Sequence, residues 1–293
     1  MTLNAFSAFT ARPFRLTLLT LACIASANSH ATQGRSVGSG DLLIAPTRVM
    51  LEDSKRSIDV NLLNIGSKRA TYRISLIHQR MNDDGKLEEI QTAGPGERFA
   101  DELVQFSPHQ VVLEPNVSQL VRIQLRLPAE LEAGEYRSHI LIRAIPEPVG
   151  TDTVVNTASG ETGISMQLAP IYGVSIPLIV RHGKTSSAIG MKDLKLATTV
   201  SGEQVVTGHL TRTGNASVYG EIQLMYIKSG MVSTPIGNLG GVAVYSPNTD
   251  RNFSIRLALP TSVNLHGGTI KVMYIRSAAE SNKPIAIGTL DVS

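Results

Sequence analysis

The chain has 293 residues, 42% of them apolar, which is enough for two sandwich domains with sizeable cores. A formal net charge of +3 and an aromatic content of 4% argue against a nucleic-acid partner, which would need a basic stripe and stacking side chains. The single cysteine, Cys23, lies near the N-terminus, so a disulfide framework is not expected.

The N-terminus has the features of a secretory signal peptide. Arg12 and Arg15 precede an apolar run, Leu16–Ala25, and small-x-small cleavage motifs occur at both Ala25–Ala27 and Ser29–Ala31. The run is too short to span a bilayer comfortably, so a membrane anchor is the weaker interpretation. Removal of residues 1–31 leaves 25 basic and 24 acidic residues, a net charge of +1. A basic leader and a mature chain without cysteine are typical of a bacterial periplasmic protein.

Short alternating segments separated by turn residues fill residues 41–182, the first predicted domain. No amphipathic helix of normal length stands out. This density of strands is typical of an antiparallel β-sandwich. The predicted strands are Leu42–Met50, Ser57–Asn64, Ala70–Gln79, Leu87–Ile90, Val104–Val112, Gln119–Leu127 and Tyr136–Ile145.

The longest alternation in the chain runs from Ile164 to Leu178. Period two predicts one strand with a single apolar face. At about 3.3 Å per residue the segment would extend roughly 50 Å, against about 17–20 Å for an ordinary strand. We therefore expect it to overrun its own core and to offer apolar side chains and unpaired backbone to another molecule. The face consists of Ile164, Met166, Leu168, Tyr172, Val174, Ile176 and Leu178.

Residues 188–293 are predicted to form a second β-sandwich after a linker at Arg181–Ser187. Alternating segments and Gly/Asn turns continue through this half, with no close repeat of the first. The predicted strands are Met191–Ala197, Gln204–Thr211, Ser217–Ile227, Val242–Tyr245, Asn252–Leu259, Thr269–Ile275 and Pro284–Val292.

Sequence motifs for catalysis or metal binding are weak. The histidines outside the leader lack ligand spacing and have no cysteine to assist them. Gly183-Lys184-Thr185 resembles the end of a phosphate loop, but Leu178 occupies the position of its first glycine. The acidic pairs Asp83-Asp84 and Glu88-Glu89 are better explained as a solvated hairpin than as acid–base groups. We expect no enzyme, no metal and no cofactor.

Three stretches together have a recognisable order and spacing. One is Leu113-Glu114-Pro115 followed by Gln119–Ile123, the second is Arg137–Pro146 with its Arg-x-Ile-Pro ending, and the third is Pro46-Thr47-Arg48 followed by Lys55-Arg56-Ser57-Ile58. They resemble corresponding strands of the periplasmic pilus-assembly chaperones of the PapD-like family. The resemblance covers roughly residues 42–181.

This resemblance implies a fold and a function. The fold would be all-β, with two Ig-like antiparallel sandwiches in an L-shaped arrangement. The function would be to lend the Ile164–Leu178 strand to a pilus or fimbrial subunit that lacks a strand of its own. Such a chaperone would pass its client to an outer-membrane assembly platform, with no nucleotide and no insertion into the membrane.

The resemblance also implies a role for Arg48, which matches the family arginine that binds the subunit's terminal carboxylate in the cleft between domains. The family's usual lysine on the donor strand aligns with Pro177, which offers neither a charge nor an N–H group. Arg181 and Arg143 are candidates to replace that lysine. Pro177 further predicts an edge or a bulge at this end of the strand.

Two other classes of protein stay open from the sequence. A structural or adhesive component of a surface fibre would carry a donor arm near its N-terminus, but Thr32–Gly40 is Gly/Ser-rich and lacks alternating apolar residues. A secreted β-sandwich enzyme would need polar side chains that converge only in the folded chain.

Overall fold

The computed structural model describes residues 41–146, 171–230, 232–261, 263–276 and 283–292, and this part of the chain is nearly all β-structure. The strands of the N-terminal half are β1 Leu42–Ala45, β2 Val49–Glu52, β3 Ser57–Asn64, β4 Ala70–Met81, β5 Leu87–Ile90, β6 Val104–Ser107, β7 Gln110–Leu113, β8 Ser118–Leu125, β9 Gly134–Ile145 and β10 Gly173–His182. Those of the C-terminal half are β11 Ser187–Thr198, β12 Gln204–Gly214, β13 Val218–Ile227, β14 Thr234–Val244, β15 Asp250–Arg256, β16 Gly268–Arg276 and β17 Pro284–Val292.

Two sheets form the N-terminal sandwich. The first has the strand order β1-β3-β8-β6, and the second has the order β2-β10-β9-β4-β5, with β7 also paired to β4. Alternation in the sequence decides which face of each sheet points inward. On β3 and β8, Val60, Leu62, Val121 and Ile123 are buried in the core between the sheets. The Tyr136 hydroxyl donates to the Glu132 carbonyl at 2.9 Å, as the tyrosine corner of Ig-like sandwiches does.

The predicted first strand, Leu42–Met50, is wrong as one element. The chain instead forms β1 in one sheet and β2 in the other, and Pro46 lies between them. Proline has no N–H group to donate to a neighbouring strand. The chain therefore leaves one sheet and joins the other at Pro46, which the prediction had placed inside a single strand. The predicted strand Val104–Val112 is divided in the same way at Pro108, into β6 and β7.

Strand β10 is the described part of the long alternating segment. It pairs antiparallel with β9 along its whole length and parallel with β2 over Leu178–Arg181. It continues as far as His182, so Arg181 and His182, predicted as linker, belong to the strand. The connection to β11 is therefore only Gly183–Ser186.

The C-terminal sandwich pairs a sheet of order β11-β12-β15 with a sheet of order β14-β13-β16-β17. Tyrosines take a large share of its core, and their hydroxyls find carbonyl partners, as buried tyrosines normally do. Tyr274 donates to Val242 at 2.8 Å and Tyr226 to His266 at 3.1 Å. The sequence predicted only the end of β14, because Pro235 and several glycines interrupt its alternation. The all-β fold with two sandwiches is confirmed.

The two sandwiches contact each other through a buried polar group beside β10. The Glu135 carboxylate accepts hydrogen bonds from the Arg181 Nε at 3.1 Å, from the Ser217 backbone N–H at 2.9 Å and from the Ser217 hydroxyl. The Arg181 Nη2 also donates to the Ser217 carbonyl at 2.9 Å. A small apolar cluster lies nearby, formed by Met81, Ile179, Ala243 and Tyr245. Both kinds of contact use the face of β9 and β10 that points away from the N-terminal core.

Within the described ranges, no helix has the length and apolar content needed to cross a membrane. The same ranges contain no group of three or more histidine, cysteine, aspartate or glutamate side chains placed to hold a metal ion. The candidate functional residues of the described chain lie at the open edge of β10 and around Arg48, where Tyr219 and Tyr245 of the C-terminal sandwich approach β9 and β10; this region is called the cleft below.

Candidate functional site

One edge of β10 is open over its first half. Strand β2 begins its pairing at Leu178, and no described strand covers that side of Gly173–Pro177. On the other side, the Ala144 N–H donates to the Tyr172 carbonyl at 2.9 Å. Because backbone bonds alternate in an antiparallel pair, residues 173, 175 and 177 direct their backbone groups to the open edge. Pro177 lies at this edge, as predicted, where its missing N–H breaks no bond to β9.

The side chains on the apolar face of β10 change from exposed to buried along the strand. Tyr172 and Val174 are 52% and 40% exposed, whereas Ile176 and Leu178 are 3% and 0% exposed. Ile176 and Leu178 fill the core of their own sandwich, which does not fit their predicted place among the donated residues. They cannot enter another protein without leaving a cavity behind. The remaining predicted donor residues, Ile164, Met166 and Leu168, lie outside the described residues.

Arg48 lies where the open edge ends. The register pairs Val49 with Leu178, so the preceding residue, Arg48, lies level with Pro177. The structure thus brings Arg48, the predicted anchor, beside Pro177. A strand added along the open edge would end at this point, because β2 occupies the edge from Leu178 onward.

Two tyrosines of the C-terminal sandwich surround the Arg48 guanidinium. Its carbon lies 4.6 Å from the ring centre of Tyr219 and 5.6 Å from that of Tyr245. The Nη1 donates to the Tyr245 hydroxyl over a long 3.4 Å, while Nη2 is buried without a hydrogen-bond partner among the described residues. A guanidinium offers a fork of donors that matches a carboxylate. Arg48 therefore has an unused donor in the cleft.

Arg137 approaches the same tyrosine from β9. Its guanidinium carbon lies 4.4 Å from the Tyr245 ring centre, and its Nη1 donates to the Gln79 carbonyl at 2.9 Å. The Nε is buried without a partner in the described part of the chain. Burial lowers the pKa of Arg137, and the charge of Arg48 adds to this effect, while Tyr245 and the more distant carboxylates of Glu135 and Glu97 oppose it.

His139 lies one step further along the same face of β9, opposite Pro177. It is fully buried, its ring is 6.4 Å from Tyr245 in an edge-on arrangement, and neither ring nitrogen has a hydrogen-bond partner among the described residues. Burial, followed by the charges of Arg137 and Arg48, lowers the pKa of His139 to about 3. The imidazole is therefore neutral at ordinary pH, and arginine supplies the positive charge of the cleft.

His139 gives the protein a predicted pH dependence of stability. Its pKa is about 3 in the folded chain and 6.5 in the reference state, so the unfolded chain takes up a proton first as the pH falls through 6.5. Stability should therefore decrease from near neutrality down toward pH 3. Between pH 7.5 and pH 5 this residue should account for about 2 kcal/mol.

Urea unfolding of the wild type and of His139→Gln at these two pH values measures that effect. On going from pH 7.5 to pH 5, the wild type should lose about 2 kcal/mol more of its unfolding free energy than His139→Gln does. A difference that is the same at both pH values would show that His139 is not held neutral.

The two arginines predicted to replace the lysine do not occupy the cleft. Arg181 binds the Glu135 carboxylate through Nε and the Ser217 carbonyl through Nη2. Arg143 lies on the same face of β9 as Arg137 but is exposed and six residues further along, about 20 Å away.

The sequence interpretation missed Arg137, His139, Tyr219 and Tyr245. A signal was present on β9, where Arg137 and His139 alternate with core residues such as Ile140. Polar residues at period two normally indicate a solvated face. Here the C-terminal sandwich packs against that face. The alternation within one strand cannot reveal packing by a distant part of the chain.

Comparisons with known proteins found matches among solved structures. No family model and no curated protein matches the sequence. Among solved structures, the YadV chaperone is 12% identical with a TM-score of 0.42, covering 86% of this chain and 100% of its own. The CupB2 chaperone of Pseudomonas aeruginosa is 13% identical, with a TM-score of 0.39 and coverage of 85% and 99%. The Salmonella enterica SafA pilin in complex with the SafB chaperone is 15% identical, with a TM-score of 0.42 and coverage of 86% and 97%.

The PapD-like resemblance of residues 42–181 stays a prediction from the sequence.

Proposed function

We propose that this chain is a periplasmic chaperone that binds a secreted pilus or fimbrial subunit by lending it the open edge of β10. One observation carries the proposal: the apolar face of β10 continues from its own core into solvent, at Tyr172 and Val174, along an edge that no described strand covers. Natural proteins usually protect such an edge, because exposed strands recruit other chains. An edge of this kind is suited to strand addition.

The geometry of the edge suggests the direction of the added strand. The strand would lie along Gly173–Pro177 and would have to stop at β2, beside Arg48. A strand that ends there with its own carboxyl terminus runs parallel to β10 and places its terminal carboxylate at the free Nη2 of Arg48. Backbone bonds would then give affinity for many sequences, and Tyr172 and Val174 would fill the client's groove.

The described part of the edge offers a moderate driving force. Because Tyr172 and Val174 are already about half buried, completing their burial in a client would contribute on the order of 1.5–3 kcal/mol before ordering costs. Ile164, Met166 and Leu168 would extend the same apolar face if the donated segment begins at the predicted residue. The proposal therefore assigns the donor function to residues 164–174 and not to Ile176 or Leu178.

The remaining parts of the proposal come from the sequence. The signal peptide at residues 1–31 would direct the chain to the periplasm, and the domains would extend over 41–182 and 188–293. The protein would bind its client without catalysis, nucleotide or cofactor and would deliver it to an outer-membrane assembly platform. Filling the client's groove with a donated strand would prevent client molecules from aggregating through their exposed strand edges.

Arg48→Ala tests the anchor at the end of this edge. Loss of a charged hydrogen bond to the client's carboxylate should weaken client binding about ten- to hundredfold without unfolding the chaperone. The measurement is the yield of a one-to-one complex after periplasmic co-expression with a fimbrial subunit from the same genome. Arg143→Ala, an exposed arginine of the same sheet, is the matched control. If Arg48→Ala binds the client as tightly as the wild type does, the client's terminal carboxylate is not held by Arg48.

Cell fractionation tests the class of protein. A chaperone should be recovered in the soluble periplasmic fraction. Recovery in fibres sheared from the cell surface would instead identify a structural component.

A further inference from the structure

We infer that Arg137 is the second positive charge of the carboxylate site, in place of the charge that Pro177 does not supply. The inference rests on the proposed function, because it assumes that a client carboxylate meets Arg48. It assigns Arg137 a positioning role, through its charge and through Tyr245, and requires no direct contact with the client.

The first argument is the unusual state of the Arg137 side chain. It is 8% exposed, and no acidic side chain of the described ranges forms an ion pair with it. Among the described residues, its guanidinium donates to the Gln79 carbonyl, and its Nε is a buried donor without a partner. A buried cation that no carboxylate contacts directly is costly for stability. A cation kept under these conditions is expected to serve a binding function.

The second argument is its position relative to Arg48. Both guanidinium groups lie against Tyr245, at 4.4 Å and 5.6 Å from the ring centre, so one aromatic ring holds two cations close together. Both also have a buried donor without a partner in the described chain. Two unpaired cations around one ring repel each other, and an anion at Arg48 would relieve that repulsion.

The third argument is the electrostatic character of the surroundings. His139 contributes no charge because its pKa is about 3. Arg181 is neutralised by Glu135, and the nearby ring and apolar cluster reduce the screening by water. A charge in such surroundings acts over a longer distance than a charge in water. Arg137 can therefore favour a carboxylate at Arg48 without touching it.

The test compares binding of a short peptide of alternating valine and threonine, blocked at its N-terminus and made both as the free acid and as the C-terminal amide. The wild type should bind the acid more tightly than the amide. Arg137→Gln removes the charge and retains a donor for the Gln79 carbonyl, and it should reduce that preference about tenfold. Arg137→Lys should restore most of it. Arg143→Gln, an exposed arginine on the same face of β9, should leave the preference unchanged.

The amide peptide distinguishes a charge effect from structural damage. If Arg137 acts through its charge, Arg137→Gln should bind the amide as the wild type does, and its thermal midpoint should be at or above that of the wild type. Equal weakening of the acid and amide peptides, or an unchanged preference for the acid, would overturn the role of Arg137 and leave strand donation intact. If the wild type binds both peptides equally, carboxylate capture fails at Arg48 and this inference fails with it.

Discussion

Replacing Glu135 by alanine should lower the free energy of unfolding by about 3–5 kcal/mol, because the buried Arg181 guanidinium then loses its carboxylate. The Glu135 side chain is 1% exposed and the Arg181 side chain 16% exposed. Glu135 also accepts the Ser217 N–H and hydroxyl bonds, and these donors would be left unpaired. Urea unfolding followed by circular dichroism measures the change.

The same substitution should weaken the coupling between the sandwiches. Ser217 precedes β13 in the C-terminal sandwich, whereas Glu135 and Arg181 lie on β9 and β10. Loss of this contact is expected to separate one cooperative transition into two, since each sandwich has its own hydrophobic core.

Asp59→Ala is the matched control for the loss of an ion pair. Asp59 and Arg122 form a two-bond pair on the surface of β3 and β8, with distances of 2.8 and 2.9 Å. Exposed pairs contribute little, so this variant should stay within about 1 kcal/mol of the wild type. Equal losses in the Glu135→Ala and Asp59→Ala variants would mean that the buried contact is not specially stabilising.

Alternation and turn residues predicted most strands of the N-terminal sandwich. The bounds of β3 and β5 agree with the predicted Ser57–Asn64 and Leu87–Ile90. The first segment alternates clearly, and the second follows an Asp-Gly turn. The errors at Pro46 and Pro108 have one physical cause. The apolar pattern continues through each proline, but the backbone ladder cannot, and the chain starts a new strand.

The candidate site was only partly predictable from the sequence. Arg48 was predicted from its resemblance to a family motif, and Pro177 was singled out by the same resemblance. Period two identified the apolar face of β10, but it cannot show where the chain's own core ends, which depends on the strands packed across it. That boundary lies between Val174 and Ile176. Arg137 was missed because its environment is created by Tyr245, far away in the sequence.

Val174→Glu should affect client binding and Ile176→Glu should affect stability, although the two residues are only two positions apart on one face of β10. Val174 is 40% exposed, so a glutamate there should change stability by no more than about 0.5 kcal/mol while preventing insertion into an apolar groove. Ile176 is 3% exposed in the core, so a glutamate there should cost about 3–5 kcal/mol and unfold much of the protein.

Thermal unfolding and co-purification with the co-expressed fimbrial subunit together separate these effects. Val174→Glu should keep the wild-type thermal midpoint but fail to form the complex. Ile176→Glu should show a strongly lowered thermal midpoint or no cooperative transition. Val112→Glu, at a 45% exposed valine on β7, controls for the addition of a surface charge and should retain both. A Val174→Glu protein that still forms the complex would show that the client does not use this face of β10. A stable Ile176→Glu protein that loses the complex would instead extend the donated segment into the residues now assigned to the core.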